Sequence, residues 1–314
     1  MTAPAGTAGG SFARQVKGEI LSHEPPRGCC AVAFAYGIAC FGRSFGKSGL
    51  VLYTEMSAAA QYAKRVFASL DVAGKVYARG SEDSRIYEFA VTEPEQVRRM
   101  LALFGHDGGP GALRINSRNF ACEQCAHHFA AAAFLACGTI TNPQREYNLE
   151  FGAGRYHLAQ DFAALLTGRG FLPKCTVRKG SHIVYFKASE QIEDTLTFMG
   201  APAAAMEIMG TKVLKDFRNK ANRLTNCETA NIDKAVAASA ATLEAIGALR
   251  AARALDALPE PLREAARLRE EYPDLSLKEL AARFDPPLSK SGLSHRIKKL
   301  EQLAKDLRKR NEHV

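Results

Sequence analysis

Apolar and polar positions change their rhythm near residue 200 of this 314-residue chain. Before that point, short runs rich in Val, Ile, Tyr and Phe read as strands, over 50–55, 75–78, 85–91, 146–151, 174–179 and 182–187. Between them, apolar residues recur every three or four positions, which predicts helices over 57–70, 94–104, 121–136, 156–167 and 189–198. From Pro202 onward the strand signals stop and the pattern is helical to the end. An α+β domain followed by an all-α domain is the architecture this order predicts. The expected boundaries are a disordered tail over 1–10, a first domain over 11–207, a linker over 208–224 and a helical domain over 225–314.

The first domain carries an internal repeat. FAYGIACFG (34–42) and AAAAFLACG (130–138) are small-residue helical segments ending in Gly. Cys30 precedes Phe34, and Cys125 precedes Phe129, at equal distance. After each segment come a strand ending near a Glu, an apolar helix, two more strands and a helix. Each half therefore reads α-β-α-β-β-α. Small residues allow the two repeated helices to pack closely along a pseudo-twofold axis, with each half's sheet forming part of a concave saddle.

The last forty residues hold the sharpest local pattern. Ser276 with Glu279 three residues later is a capping box. Leu277, Leu280 and Ala281 share one face, and Pro286 and Pro287 are expected to stop that helix. Ser289 can cap a second helix, on which Leu293, Ile297, Leu300 and Ala304 should face a core. Ser289, Lys290, Ser291, Ser294, His295, Arg296, Lys298 and Lys299 fall at its start or on its opposite face. Two short helices, a tight turn and a polar, basic second helix make a helix-turn-helix over 275–304, the element that enters a DNA major groove. Its helix N-terminus and lysines suit phosphates, and its Ser and His side chains suit base edges. The plainer reading is a solvated face on a helical bundle; caps, turn, periodicity and charge together favour the first.

Charge and composition point the same way. A net charge of +9 suits a polyanion, and between Leu288 and Val314 eight Lys or Arg face three acids. The basic cluster over 305–310 reads as a solvated helix end near phosphates. No apolar run is long enough to span a membrane, and the N-terminus has no secretory pattern, so a cytoplasmic protein with reduced thiols is expected. Cys122, Cys125, His127 and His128 raise the question of zinc. A structural zinc site usually draws four ligands from two separated pairs; on a helix Cys122, Cys125 and His128 would share one face, and no metal and no cofactor are expected. Cys29 and Cys30 read as buried small apolar groups, and GGPG (108–111) as a plain loop.

The repeat resembles the LAGLIDADG homing-endonuclease fold, in which an acid at the end of each motif helix binds the catalytic metal. Phe41 and Cys137 hold those positions here, and neither offers a hard oxygen to Mg²⁺. Further stretches make the resemblance more specific: SFARQVKGEI (11–20), AFLACGTITNP (133–143), NRLTNCETANIDK (222–234), LREAARLREEYPDLSLKEL (262–280) and SKSGLSHRIKKL (289–300). Together they resemble the WhiA family of bacterial sporulation and cell-division transcription regulators. That resemblance implies a degenerate LAGLIDADG-like domain, a C-terminal helix-turn-helix, promoter binding on the nucleoid and, in some lineages, a WhiB-type iron–sulfur co-regulator. The chain departs from the family at Ala131-Ala132, where Arg-Gly is usual, and at Asn148, where the strand usually carries His. Within NRLTNCETANIDK, Asn222, Asn226, Asn231 and Cys227 read as capping or hinge residues, and Arg223, with Lys220 just before the segment, as candidate DNA contacts. A DNA-binding regulator is the expected function, a metal-dependent endonuclease the alternative, and a docking role for the first domain a third.

Overall fold

A computed structural model describes residues 11–81, 85–108 and 113–311. The expected tail (1–10) and residues 109–111 of the GGPG loop lie outside the described residues. The chain divides into two compact units with the boundary between Lys215 and Asp216.

The N-terminal unit opens with α1 (Phe12–Ser22), which Ser11 caps by accepting a hydrogen bond from the Arg14 N–H. Sequence reading assigned no helix here, although Phe12, Val16 and Ile20 recur every four residues and all three are buried. The first half then runs α2 (Cys29–Phe41), β1 (Ser44–Gly46), β2 (Gly49–Thr54), α3 (Ser57–Ala68), β3 (Lys75–Arg79), β4 (Ile86–Val91) and α4 (Pro94–Phe104). The second half repeats this order: α5 (Cys125–Cys137), β5 (Gly138–Ile140), β6 (Leu149–Ala153), α6 (Tyr156–Thr167), β7 (Lys174–Arg178), β8 (Ser181–Phe186) and α7 (Ser189–Phe198). Each half forms one antiparallel four-stranded sheet, ordered β1-β2-β4-β3 and β5-β6-β8-β7.

Each half thus holds one strand more than the expected α-β-α-β-β-α. The extra strands, β1 and β5, are three residues long and include glycine, so they are too short to leave an alternating pattern. Partner strands create them: Phe45 pairs with Leu50, and Thr139 with Glu150. The β1–β2 hairpin turns at Gly49, with φ of +112°, where a Cβ would lie 2.2 Å from the Val91 carbonyl oxygen. Only glycine fits that point.

Helices α2 and α5 are apolar around most of their circumference, and a helix of that kind has to be buried. They pack on each other at the centre of the unit's single hydrophobic core. A Cβ at Gly37 would sit 2.7 Å from the Phe129 carbonyl oxygen and 2.8 Å from the Ala132 Cβ, so the two backbones meet at the limit of contact. Aromatic rings close around this crossing. Phe129 lies 5.6 Å from Tyr36, 5.9 Å from Phe41 and 5.1 Å from Phe120 between ring centroids. The buried Tyr36 hydroxyl is satisfied by the Asn116 N–H at 2.8 Å, the Arg114 carbonyl at 3.1 Å and His106 Nε2 at 2.8 Å. Arg114 in turn makes a two-pronged ion pair with Asp161 of α6, both arms at 2.7 Å. Burial alone would raise the Asp161 carboxyl; Arg114 and the Ile115 N–H hold it below the usual carboxylate range.

The helical C-terminal stretch begins with α8 (Pro202–Ala251), 50 residues long, which runs through the unit boundary. The expected linker over 208–224 is therefore helical throughout, and Asn222, Asn226, Cys227 and Asn231 lie within the helix, not at caps. All four are exposed, where asparagine costs only a fraction of a kcal/mol (about 0.5) relative to better helix formers. Asn231 also donates to the Cys227 sulfur one turn back, at 3.8 Å. After α8 come α9 (Glu260–Glu271), α10 (Leu277–Ala281) and α11 (Lys290–Asn311), with their own core.

Gly37→Val is expected to destabilise the N-terminal unit by about 1–3 kcal/mol through overpacking. The measure is the urea midpoint of the far-UV circular dichroism strand signal, with amide exchange in α9–α11 as the internal control. An unchanged midpoint would rule out backbone-limited packing at this crossing.

Candidate nucleic-acid interface

Local chemistry builds the three C-terminal helices one at a time. Ser276 Oγ accepts from the Glu279 N–H at 3.3 Å, and the Glu279 carboxylate accepts from the Ser276 N–H at 3.0 Å, closing the capping box. The Ser276 hydroxyl and N–H beside it hold the Glu279 carboxyl below its usual range. Helix α10 ends at Ala281, well ahead of Pro286, so the prolines expected to stop it are not what ends it. Phe284 is drawn into the core at 4% exposure, which turns the chain out of the helix. The Leu288 N–H then donates to the Ala281 carbonyl at 2.9 Å and fixes the turn. Ser289 Oγ accepts from the Gly292 N–H at 3.1 Å, giving α11 its cap.

Leu293, Ile297, Leu300 and Ala304 are all buried, packed with Leu280, Ala281 and Phe284, with Ala265 and Leu268 of α9, and with Ile246 and Leu249 of α8. One charged group is buried with them. Arg269 on α9, 3% exposed, reaches over the α9–α10 connection and donates to the carbonyls of Leu275 at 2.7 Å, Pro273 at 3.3 Å and Tyr272 at 3.5 Å. A single guanidinium therefore closes the loop that delivers α10 to α11.

With its apolar side committed inward, α11 presents the remaining side chains outward. Ser289, Lys290, Ser291, His295, Lys298 and Lys299 are exposed, and Ser294 is half-buried. Ser289 and Ser291 share a hydrogen bond at 3.0 Å. Arg296 departs from the others. Its guanidinium lies 5.3 Å over the Phe284 ring and donates to the Pro261 carbonyl at 3.5 Å, so it packs the interface between helices. Beyond the core, Arg308 pairs with Glu244 at 2.7 Å, while Lys305, Lys309 and Arg310 are exposed. The acids of α11 are occupied elsewhere: Glu301 accepts from Thr242 and Asp306 from Gln302, each at 2.9 Å. A groove of about 860 Å³ runs beside this face, walled by Val236, Leu243 and Ile297, and shares Lys290, Ser294 and Lys298 with it. Lys220 and Arg223 are exposed on α8.

In the N-terminal unit, Phe41 and Cys137 are the last residues of α2 and α5. Phe41 is packed against Phe162, ring centroids 5.0 Å apart. Cys137 Sγ donates to the Ala133 carbonyl at 3.3 Å, and burial pushes its thiol up to about 12. Neither helix end offers a carboxylate for Mg²⁺. At the opposite ends of the same helices, the sulfurs of Cys29, Cys30, Cys122 and Cys125 all lie within 4.8 Å of one another. Cys29 and Cys30, expected as buried apolar groups, are half-buried members of this cluster, and with Cys122 and Cys125 they make two separated pairs. Three thiols converge on Cys122, holding its pKa down to about 7, whereas burial pushes Cys30 up to about 12. His127 and His128 are not in the cluster: His127 stacks on Phe198 with centroids 4.0 Å apart, and burial lowers the pKa of both imidazoles. The clue available in the sequence is the repeat itself: aligned on the glycines that end its helices, Cys29, one residue before the Cys30 match, is the counterpart of Cys125 as first residue of its helix.

Arg269→Met is expected to cost the C-terminal unit about 2–3 kcal/mol by leaving the Tyr272 and Leu275 carbonyls without their donor, while Pro273 keeps its bond from Ser239. Hydrogen–deuterium exchange of the amides over 272–281 should accelerate. If protection there is retained, the clamp is not what orders the loop.

Comparison with known proteins covers both units. Residues 221–304 match the family model described as the WhiA C-terminal HTH domain, and residues 126–218 match the WhiA LAGLIDADG-like domain. The chain is 35% identical over 314 residues to a probable cell division protein WhiA of Clostridium botulinum (strain Eklund 17B), covering 96% of this chain and 100% of that protein. It is 44% identical over 185 residues to a protein of the same description from Caldicellulosiruptor saccharolyticus, covering 59% of this chain and 57% of the other. The crystal structure of full-length DUF199/WhiA from Thermatoga maritima superposes with a TM-score of 0.58 at 19% identity, over 94% of this chain and 98% of that one.

Proposed function

We propose, for a chain that belongs to the WhiA family, that it is a sequence-specific DNA-binding transcription regulator of cell-division and sporulation-type genes without nuclease activity. The observation that carries this reading is the polar face of α11. Lys290, Lys298 and Lys299 are exposed and in no ion pair among the described residues, on a helix whose other side is committed to a core. In this reading Ser289, Lys290 and Ser291 meet phosphate at the helix start. Ser294 and His295 read base edges, and Lys298 and Lys299 hold the backbone. Arg296 supports the helix from behind. Lys220 and Arg223 on α8 add contacts to duplex DNA outside the helix-turn-helix.

Phe41 and Cys137 support the absence of cleavage, because metal-assisted phosphodiester hydrolysis needs hard oxygen ligands and these positions supply a ring and a half-buried thiol. No helix among the described residues is long and apolar enough to cross a membrane. A regulator of this kind works on nucleoid DNA in the cytoplasm. The curated relatives are described as probable cell division proteins, and that role is extended here to this chain. A WhiB-type iron–sulfur co-regulator is the protein partner that goes with this reading.

The test is binding of the full chain to genomic fragments at two salt concentrations with Mg²⁺ present. Selective binding without strand cleavage is expected, and Mg²⁺-stimulated cleavage would overturn the reading. Lys298→Ala and Lys299→Ala should each weaken binding to all sequences and lower the salt slope by about 1. Ser294→Ala and His295→Ala should instead flatten the preference between sites, by about 1–3 kcal/mol per base read. Uniform, sequence-independent losses from all four changes would remove base reading from α11.

A further inference from the structure

The four-thiol cluster of the N-terminal unit lies outside the α11 face assigned above to DNA, and its geometry is specific. We propose that Cys29, Cys30, Cys122 and Cys125 form a closed tetrathiolate site for one Zn²⁺ ion, which ties the N-terminal end of α2 to that of α5.

Distance is the first argument. A zinc ion bound to four thiolates at about 2.3 Å in tetrahedral geometry places the sulfurs about 3.8 Å apart. Here Cys30 and Cys122 are 3.6 Å apart, Cys122 and Cys125 are 3.5 Å apart, and no pair exceeds 4.8 Å. The sulfurs enclose room for one ion and are too close together to surround an iron–sulfur cluster. Nor are they bonded to one another, since a disulfide needs about 2.05 Å. Arrangement is the second argument. The ligands form two pairs, a vicinal one in the first turn of α2 and a Cys-x2-Cys one entering α5, and they come together from positions 92 residues apart. Four thiolates with no carboxylate or imidazole in the set favour a soft, tetrahedral cation over Mg²⁺ or Ca²⁺. Electrostatics is the third. Four thiolates and one divalent cation leave a net charge of −2, and the site sits at the N-terminal, positive ends of the α2 and α5 helix dipoles.

All four positions belong to protein, so no coordination site is left for substrate, and the role is structural. The ion fixes the separation of the two helices at one end, while the Gly37 crossing fixes it in the middle. Cys122 is exposed, so the metal can be loaded and withdrawn without unfolding the core. The site stands independently of the DNA-binding reading.

The experiment uses the full chain purified under reducing conditions without chelator. Elemental analysis should find one equivalent of zinc per chain, lost in Cys122→Ser/Cys125→Ser and kept in Cys40→Ser, whose thiol lies outside the cluster. Removing the metal with a strong chelator should lower the melting temperature, and added Zn²⁺ should restore it. Should the double variant fail to fold, the wild-type chain reloaded with Co²⁺ supplies the decision. Thiolate-to-cobalt charge-transfer bands with intense tetrahedral d–d bands support the site. Cobalt with only its aqueous spectrum, or a metal-free native chain whose melting temperature ignores both chelator and Zn²⁺, would overturn the proposal.

Discussion

The approach of α2 to α5 is the constraint on which the N-terminal unit depends. Two helices can touch backbone to backbone only where a side chain is missing, and Gly37 supplies that gap opposite Phe129 and Ala132. Once the axes are this close, little room is left for polar side chains along the crossing, and both helices become apolar nearly all round. Larger residues move to the flanks, where Phe41 meets both Phe129 and Phe162 edge to face. The sheets, α3 and α6 then pack outward from this pair. The same crossing brings the helix starts together, so that Cys29 and Cys125 meet although 96 residues separate them in the chain.

The C-terminal unit works by division of faces. Fully burying Leu293, Ile297 or Leu300 is worth about 1.5–3 kcal/mol each, which orients α11 firmly. That orientation presents the opposite face without further cost. Arg269 and Arg296 show that basic residues in this unit do two kinds of work. The first is buried as a loop clamp and the second is packed on Phe284, while the neighbouring lysines remain in solvent. Counting cations along α11 would not have separated these roles.

A fold does not settle an activity, and the N-terminal unit illustrates why. Its helix pair, sheets and pseudo-symmetry follow the LAGLIDADG-like plan, yet the helix ends at Phe41 and Cys137 hold no hard ligand. What the chemistry of the unit offers instead is at the other end of the same helices, in soft sulfur ligands suited to holding a structure together.

The sequence by itself determined what depends on near neighbours. The capping box at Ser276 and Glu279, the cap at Ser289, the inward face of α11 and the longer strands are written within a few residues of one another, because caps and periodicity act over one or two turns. The doubling of the first domain and its family were legible for the same reason, as local patterns that recur. Tertiary structure decided the rest. Strands β1 and β5 exist only because β2 and β6 offer edges to pair with. Helix α10 ends where Phe284 finds the core, not where proline stands. Arg296 turns inward because an aromatic face is within reach. The four thiols meet because two distant helix starts are pressed together by packing elsewhere along those helices, a distance that no spacing in the chain encodes.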